Sequence, residues 1–594
     1  MADYIHVSVA WPYANGDMHI GHLAGAYLPA DIFARYHRLK GNHVLMVSGS
    51  DSHGTPISVE AEKLGITPRE LFEKYHQRFL TTQRDIGISY NLFTHTDTEN
   101  HHRVAQDVFT TLLERGYLFK QTQRQLYSEV SRQFLPDRMV EGTCYVCGYE
   151  EARGDQCDNC GTLMDATRLI NPRSKLDGSA PVIRETEHYF LDLPAFADTL
   201  QAYLKRCEQA GHWRANVLSF SLNYAANLQP RAITRDLEWG IPVPLEDFSD
   251  KRLYVWFEAV MGYLSASIEW ARNIGEPDAW KRWWYNPDAR MYYFIGKDNI
   301  PFHTIIWPAE LTGISGIYNE GSEQPINLPY DVPANEFMNI EGRQFSKSRN
   351  WAIWLPDILE RYQPDAIRYY VAQTFPETRD SDFSWDGFFS RVNNELVAAW
   401  GNLVNRMLGF ANKRFDGAVP TPGELTEEDK AILAQSVAAL TSVGDLINAV
   451  KLRAALQEAM RVVQEANVYL DRRAPWALIK EDPQEAATVV YTILRVIDNL
   501  KIALAPFLPF SAQRLHEMLG YEGQLFGEQR IERIQEATRS HEALVYDASQ
   551  AVGQWQPSEL PPGQKFGKIA PLFVKLDESI IDEERARLGA PRSV

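Results

Sequence analysis

The first fifty residues leave little choice of architecture. Tyr4 to Ala10 alternates apolar and polar side chains and reads as a strand closed by Pro12. The turn Asn15-Gly16-Asp17 follows, then apolar residues at helical spacing from about His19 to Leu39. A second apolar run, His43 to Val47, leads into the small-residue loop Ser48 to Gly54. Strand, glycine turn, helix, strand is how a parallel α/β sheet begins, and such sheets collect ligands at the carboxyl ends of their strands. The same texture resumes after Arg235 to Pro242 and in the strand Met291 to Ile295, which ends in Gly296-Lys297-Asp298.

Four cysteines break the pattern. Cys144-x-x-Cys147 and Cys157-x-x-Cys160 stand nine residues apart, and glycines (Gly148, Gly161) follow the second cysteine of each pair. Two such pairs can converge on one tetrahedral zinc, with glycine turns aiming backbone N–H groups at the thiolates. Two disulfides are the rival reading, but they fit poorly with a reducing compartment. Zinc is therefore favoured, and four thiolates leave no open coordination position, so it is structural. Residues 117–228 read as an insertion between two halves of the α/β domain, 1–116 and 229–326. A linking region, 327–387, precedes a helical domain at 388–544, and 545–594 reads as an extended tail marked by Pro561-Pro562-Gly563. Within the helical part, Leu452, Leu456, Ala459, Val463, Ala466 and Leu470 form one apolar stripe, and Val489, Ile493, Leu500 and Leu504 another.

Formal net charge is -18, which disfavours indiscriminate nucleic-acid binding but leaves room for a local basic groove. The N-terminus has no basic stretch leading into an apolar core, and no apolar run approaches spanning length. A cytosolic protein with no membrane partner is expected.

Two motifs carry chemistry. His19-Ile20-Gly21-His22 places two imidazoles three residues apart at a helix start, where positive potential favours phosphate. Glu341 to Arg349 clusters cations and hydroxyls on a loop able to neutralise a leaving pyrophosphate. Either alone is weak; two helical histidines or one basic turn are ordinary surface features.

Together they resemble the signature motifs of class I aminoacyl-tRNA synthetases, His19 to His22 the first and Gln344-Phe345-Ser346-Lys347-Ser348 the lysine loop. Ala10-Trp11-Pro12-Tyr13-Ala14-Asn15-Gly16, Asp51 to Pro56, Tyr254-Val255-Trp256, Gly296-Lys297-Asp298 and the four-cysteine knuckle narrow the resemblance to the methionyl branch, over roughly the first 510 residues. It implies a Rossmann-like catalytic domain with an inserted zinc knuckle, followed by an α-helical bundle that binds the anticodon. The implied reaction joins L-methionine to the 3′ end of tRNA(Met), initiator tRNA included, through an adenylate made from ATP with Mg2+. His19, His22 and Lys347 would stabilise the reacting phosphates, with Gly21, Gly296 and Asp298 completing the ATP site. Asp51 would hold the methionine ammonium, and Trp11, Tyr13, Trp256, Ala259, Tyr263, His303 and Trp307 the rest of the amino acid. Asn402, Arg406 and Trp476 match the anticodon-reading positions. Gln344 stands where the loop's first lysine is usual, and Arg343 is the candidate to supply that charge. A monomer is expected.

The rival readings are a class I synthetase for cysteine, leucine, isoleucine or valine, an inactive RNA-binding relative, and a nucleotidylyltransferase that uses no tRNA. No segment is long enough for a large editing domain, and the helical domain argues against the last.

Overall fold

The computed structural model describes residues 2–135, 139–154, 157, 159–160, 164–321, 324–347 and 349–591; Gly161 of the knuckle and Ser348 of the lysine loop lie outside them. The central strands are β1 (Tyr4–Val9), β2 (His43–Ser50), β3 (Leu92–His95), β4 (Arg290–Gly296) and β5 (Ala334–Asn335). They run parallel in the order β5-β4-β1-β2-β3. Ile5, Val7 and Val9 of β1 and Leu45, Met46 and Val47 of β2 are buried, as a sheet covered on both faces requires. His6 lies among them with its Nε2 2.9 Å from the Ser267 hydroxyl, so the polar group is met. The chain leaves β1 towards β2 on one side and reaches β4 on the other. The winding therefore reverses at β1, and a crevice opens at its carboxyl end.

The helix after β1 runs through Ile20–His22, a π-helical turn at Leu23–Tyr27, and Leu28–Leu39. The insertion is built on a long antiparallel pair, Leu118–Ser128 with Val182–Leu191, and a three-stranded knuckle sheet. The helical body packs Glu427–Asn448, Leu452–Arg473 and Pro483–Leu504 together, with both expected stripes buried. Glu427–Asn448 is long and apolar enough in composition to cross a membrane, yet its Ile432, Leu440, Val443 and Ile447 are buried within this bundle.

Two boundaries differ from the sequence reading. The expected helical domain does not extend to 544: the hairpin β6 (Glu528–Gln535) and β7 (Ser540–Asp547) returns to the catalytic sheet. There β7 pairs antiparallel with β3, Leu544 opposite Phe93, giving seven strands among the described residues in the order β5-β4-β1-β2-β3-β7-β6. Nor is 545–594 a loose extension. The Trp555 indole donates to the Leu440 carbonyl at 2.9 Å, Asn393 exchanges hydrogen bonds with the Leu576 backbone, and a helix forms at Ile580–Arg587. Leu560, Leu572 and Phe573 are also buried in the main core, but they are scattered through irregular backbone and so show no helical or strand period.

Arg368 joins the two bodies. Its guanidinium is fully buried and donates to Asp31 at 2.6 Å, to the Ile86 and Gly87 carbonyls, and to Pro506 and Phe507 of the helical body.

Burial holds three interior imidazoles below the ordinary 6.5: His6 and His37 at about 3, His76 at about 4. The unfolded chain therefore takes up protons that the fold refuses as pH drops below 6.5, so stability is lost from there towards 4. The urea midpoint is expected to fall between pH 6.5 and 4.5, less steeply in His37→Gln. A midpoint flat across that range would contradict the assignment of neutral interior histidines.

Candidate active site

The segment after β1 begins with His19 in extended backbone, φ -125° and ψ 170°. Its Nδ1 accepts the Gly21 N–H at 3.1 Å, and His22 Nδ1 accepts the His19 N–H at 3.3 Å, so two imidazoles cap their own helix reciprocally. The cap accounts for Gly21 directly, because a Cβ there would lie 2.9 Å from the His19 ring. Burial holds both imidazoles below their usual range, His22 at about 4, with His22 pressing His19 further down. Both are neutral at pH 7, and with Nδ1 accepting, each ring proton sits on Nε2, where it can be donated.

The lysine loop docks on this segment. Ile20 N–H donates to the Ile353 carbonyl and Leu355 N–H to the Met18 carbonyl, at 2.9 and 2.8 Å. The Phe345 ring stacks on His19 with centroids 3.8 Å apart. The Lys347 ammonium donates to the Asn15 carbonyl and lies 3.9 Å from the Glu60 carboxylate, and burial holds it below the usual lysine range. A Cβ on Gly16 would stand 2.8 Å from that ammonium. The two sequence motifs therefore meet. The Arg343 guanidinium, expected to supply the missing charge, sits over the Trp351 ring at 4.6 Å.

On the other side of the crevice, a Cβ at Gly296 would meet nothing within 4 Å, so the end of β4 can be approached closely. Asp298 follows, while Lys297 turns aside to Glu336 and Asp380 at 2.7 and 3.0 Å.

Beyond the histidines, Tyr13 and Asp51 sit side by side in a parallel bridge, with Ala14 N–H on the Asp51 carbonyl at 2.9 Å. Tyr13 meets Trp256 edge-on at 5.9 Å, and Trp256 stacks on Phe302 at 4.3 Å. Trp11 lies between two glycines: a Cβ at Gly49 would be 2.1 Å from its ring and one at Gly262 2.6 Å. Tyr263 donates to His303 Nε2 at 2.7 Å, because His303 Nδ1 faces the Asn299 carbonyl at 2.9 Å and must be the donor there. Ala259 is buried nearby in sequence. Trp307 stands behind this group, its indole donating to Tyr293, whose ring abuts Tyr263. A cavity of about 390 Å³ opens beside Tyr13 and Trp256, between them and the insertion.

Asp51 is 2% exposed and accepts the His53 N–H at 3.2 Å. It does not cap the next helix, whose cap is Gly54. Below it lies a buried network absent from the sequence reading. Glu258 bridges His53 at 2.9 Å and His101 at 2.7 Å, and His53 also faces Asp97 at 3.6 Å. Burial, then the Glu258 charge, push the Asp51 carboxyl well above its usual range against the opposing pull of His53. Burial would lower His53, but Glu258 and Asp97 outweigh it and hold it up at about 10. An acid within the apolar run Val255 to Met261 was the available signal for Glu258.

In the helical body Asn402 and Arg406 are exposed on Asn402–Arg414. The Arg406 guanidinium lies 4.8 Å over the Trp476 ring and 3.6 Å from Asp471, so Arg406 and Trp476 share one surface.

No disulfide joins the four knuckle cysteines, and their sulfurs all lie within 4.8 Å of one another. Cys144 to Cys160 is 3.9 Å and Cys147 to Cys157 is 3.6 Å. Zinc–sulfur bonds of about 2.3 Å set tetrahedral edges of about 3.8 Å, so the set fits one zinc. Val146 and Cys147 N–H groups point at the Cys144 sulfur, each at 3.4 Å, as a thiolate requires.

The family model described as tRNA synthetases class I (M) matches residues 5–408, and that described as the anticodon binding domain of methionyl tRNA ligase matches 419–548. The methionine--tRNA ligase of Thermomicrobium roseum is 58% identical over 593 residues, covering 99% of this chain and 100% of its own. That of Roseiflexus castenholzii is 56% identical, covering 99% of each. The structure of Mycobacterium tuberculosis methionyl-tRNA synthetase in complex with methionyl-adenylate shares the fold, with TM-score 0.73, 24% identity, and 96% and 100% coverage of the two chains.

The knuckle generates its own prediction. Mass spectrometry of the purified protein is expected to find about one zinc per chain. Cys157→Ala should lose it and expose 117–228 to protease while the sheet around β1 stays intact. An insertion equally resistant without metal would remove its structural role.

Proposed function

The chain belongs to the methionyl-tRNA synthetases of class I, and from that premise we propose that it activates L-methionine with ATP and transfers it to tRNA(Met), initiator tRNA included. It acts in the cytoplasm, as a monomer. In the first step a methionine carboxylate oxygen bonds to the α-phosphorus of ATP while the bond to the β-phosphate bridging oxygen breaks, releasing pyrophosphate with Mg2+. In the second, a ribose hydroxyl of the terminal tRNA adenosine attacks the aminoacyl carbonyl and AMP leaves. Neither step requires a covalent enzyme intermediate, so the protein's task is to position the reactants and to stabilise spreading negative charge.

The observation that carries this reading is the meeting of the Lys347 ammonium, at the Asn15 carbonyl, with the His19 and His22 imidazoles through the Phe345 stack. Neutral Nε2–H groups on one side and an ammonium on the other can hold phosphate oxygens between them. Gly296 and Asp298 receive the adenosine and its ribose. Asp51 takes the methionine ammonium, a cation that lets this buried carboxyl ionise against the charge of Glu258. Trp11, Tyr13, Trp256, Ala259, Tyr263, His303 and Trp307 form or back the thioether pocket; each ring contact with sulfur contributes about 0.3–1.5 kcal/mol. Since apolar size differences discriminate by only about 1–3 kcal/mol, shape must exclude leucine and isoleucine. Asn402, Arg406 and Trp476 read the anticodon, a base stacking on the ring that Arg406 already flanks. The catalytic halves 1–116 and 229–326, with β6 and β7 returning to their sheet, act with the helical body that starts at 388.

Lys347→Ala is expected to lower methionine-dependent pyrophosphate exchange about a hundredfold to a thousandfold. Methionine affinity by calorimetry should stay unchanged, and near-parental exchange would take the loop out of the chemistry. Trp476→Ala should reduce charging of tRNA(Met) about tenfold or more with exchange untouched. Equal charging of the parent and this variant would refute the anticodon assignment.

A further inference from the structure

The lysine loop has two bends of unusual backbone. Glu341 at its start has φ +48° and Asn350 at its end has φ +47°. Asparagine takes up this left-handed conformation readily, but a glutamate rarely does so unless its surroundings fix it. Between them the loop touches the histidine segment through Phe345 and Lys347.

Both bends are held by one distant stretch of chain. Arg585 donates to Glu341 Oε2 through Nε at 3.1 Å and Nη2 at 3.0 Å, and also meets Asp386. Gly589, itself at φ +79°, donates its N–H to the Asn350 carbonyl at 3.0 Å, and the Asn350 side-chain amide donates to the Ala590 carbonyl at 2.5 Å. The same Asn350 side chain accepts the Trp354 indole N–H at 2.9 Å, and Trp354 pairs with His19 in an antiparallel bridge. The stretch is anchored separately to the body: the buried Glu584 accepts from Arg361 at 2.6 and 2.9 Å and from Tyr362 at 2.9 Å. Among the described residues its hydrogen bonds to the loop fall at 341 and 350, and Gln344 and Lys347 between them are exposed.

We infer that the segment around Ile580–Ala590 is a clasp that fixes the two ends of the lysine loop without itself holding Phe345 and Lys347, whose contacts to His19 and Asn15 can be exchanged for the triphosphate, with Arg585 and Gly589 as positioning residues for adenylate formation. A loop anchored at both ends delivers Lys347 to one place without a search. Two paired bends also confine movement to the residues that carry the charge. The inference rests on the role proposed above for Lys347.

The test is the full-length double variant Arg585→Ala with Gly589→Pro, which leaves the Glu584 anchor in place. Proline removes the N–H given to Asn350 and cannot adopt φ +79°. Three readouts apply. Trypsin cleavage at Arg343, Lys347 and Arg349, located by mass spectrometry without ATP present, is expected to accelerate about tenfold. The KM for ATP in pyrophosphate exchange should rise about tenfold. Methionine affinity by calorimetry should stay within about twofold, and Arg585→Lys alone should recover most of the ATP effect. Parental cleavage and parental ATP KM in the double variant would overturn the clasp. So would ATP and methionine parameters that decline together with the melting temperature, since that marks general support of the fold. Should the parent itself lack methionine-dependent exchange, the proposed function fails, while the cleavage arm still reads the clasp.

Discussion

The catalytic geometry hangs on one buried ion pair. Asp31 lies on the helix that continues from His19 and His22, and Arg368 lies on Pro364–Gln373, the second helix after the lysine loop. Their contact at 2.6 Å, with neither side chain exposed, therefore locks the chain segment bearing the imidazoles to the one bearing Lys347. Arg35 shares the same carboxylate at 2.9 Å, and the remaining Arg368 donors are spent on backbone carbonyls from both bodies. Removing one partner of such a pair leaves a buried charge uncompensated, at a cost of about 3–5 kcal/mol. The same guanidinium seats the helical body, so the separation of that body from the crevice is set at this point too.

What could be read from the residues in order was whatever is local. The alternation of β1, the helical spacing behind His19 and the cysteine spacing depend on neighbours a few positions apart, and each was legible. The meeting of His19 with Lys347 was legible only through the resemblance, because no spacing rule links positions 328 residues apart. β6 was not legible. Glu528 to Gln535 offers Ile531 and Ile534 among charged and amide side chains, and its identity as a strand comes from β7 and, through it, from the edge of β3. The clasp we infer escaped for a related reason, since Gly589 and Ala590 act through backbone atoms and Arg585 pairs with an acid 244 positions away. For Arg343 the charge was legible, and its seat over the Trp351 ring was not.

Beneath the amino-acid pocket, charge is arranged in alternation. Asp51, His53, Glu258 and His101 place acid and imidazole in turn, and Asp97 is held by Arg69 at 2.7 Å and Arg539 at 3.2 Å from outside. Arg539 belongs to the turn between β6 and β7, so the returning hairpin closes the far end of this network. Buried acids stacked this closely persist only because each gap holds a cation or an N–H donor. Asp51 is the member at the end of the row, beside Tyr13, where burial and the Glu258 charge outweigh the pull of His53.

The indole of Trp11 occupies the volume that side chains at 49 and 262 would otherwise need. The back wall there is thus made of main chain, and main chain cannot be trimmed. Space at that wall is gained by shrinking the indole. Once it is shrunk, position 262 becomes free to vary, whereas a Cβ at 49 would still lie 2.5 Å from the Thr94 carbonyl oxygen, so positions 11 and 262 form one engineering unit and 49 stays fixed.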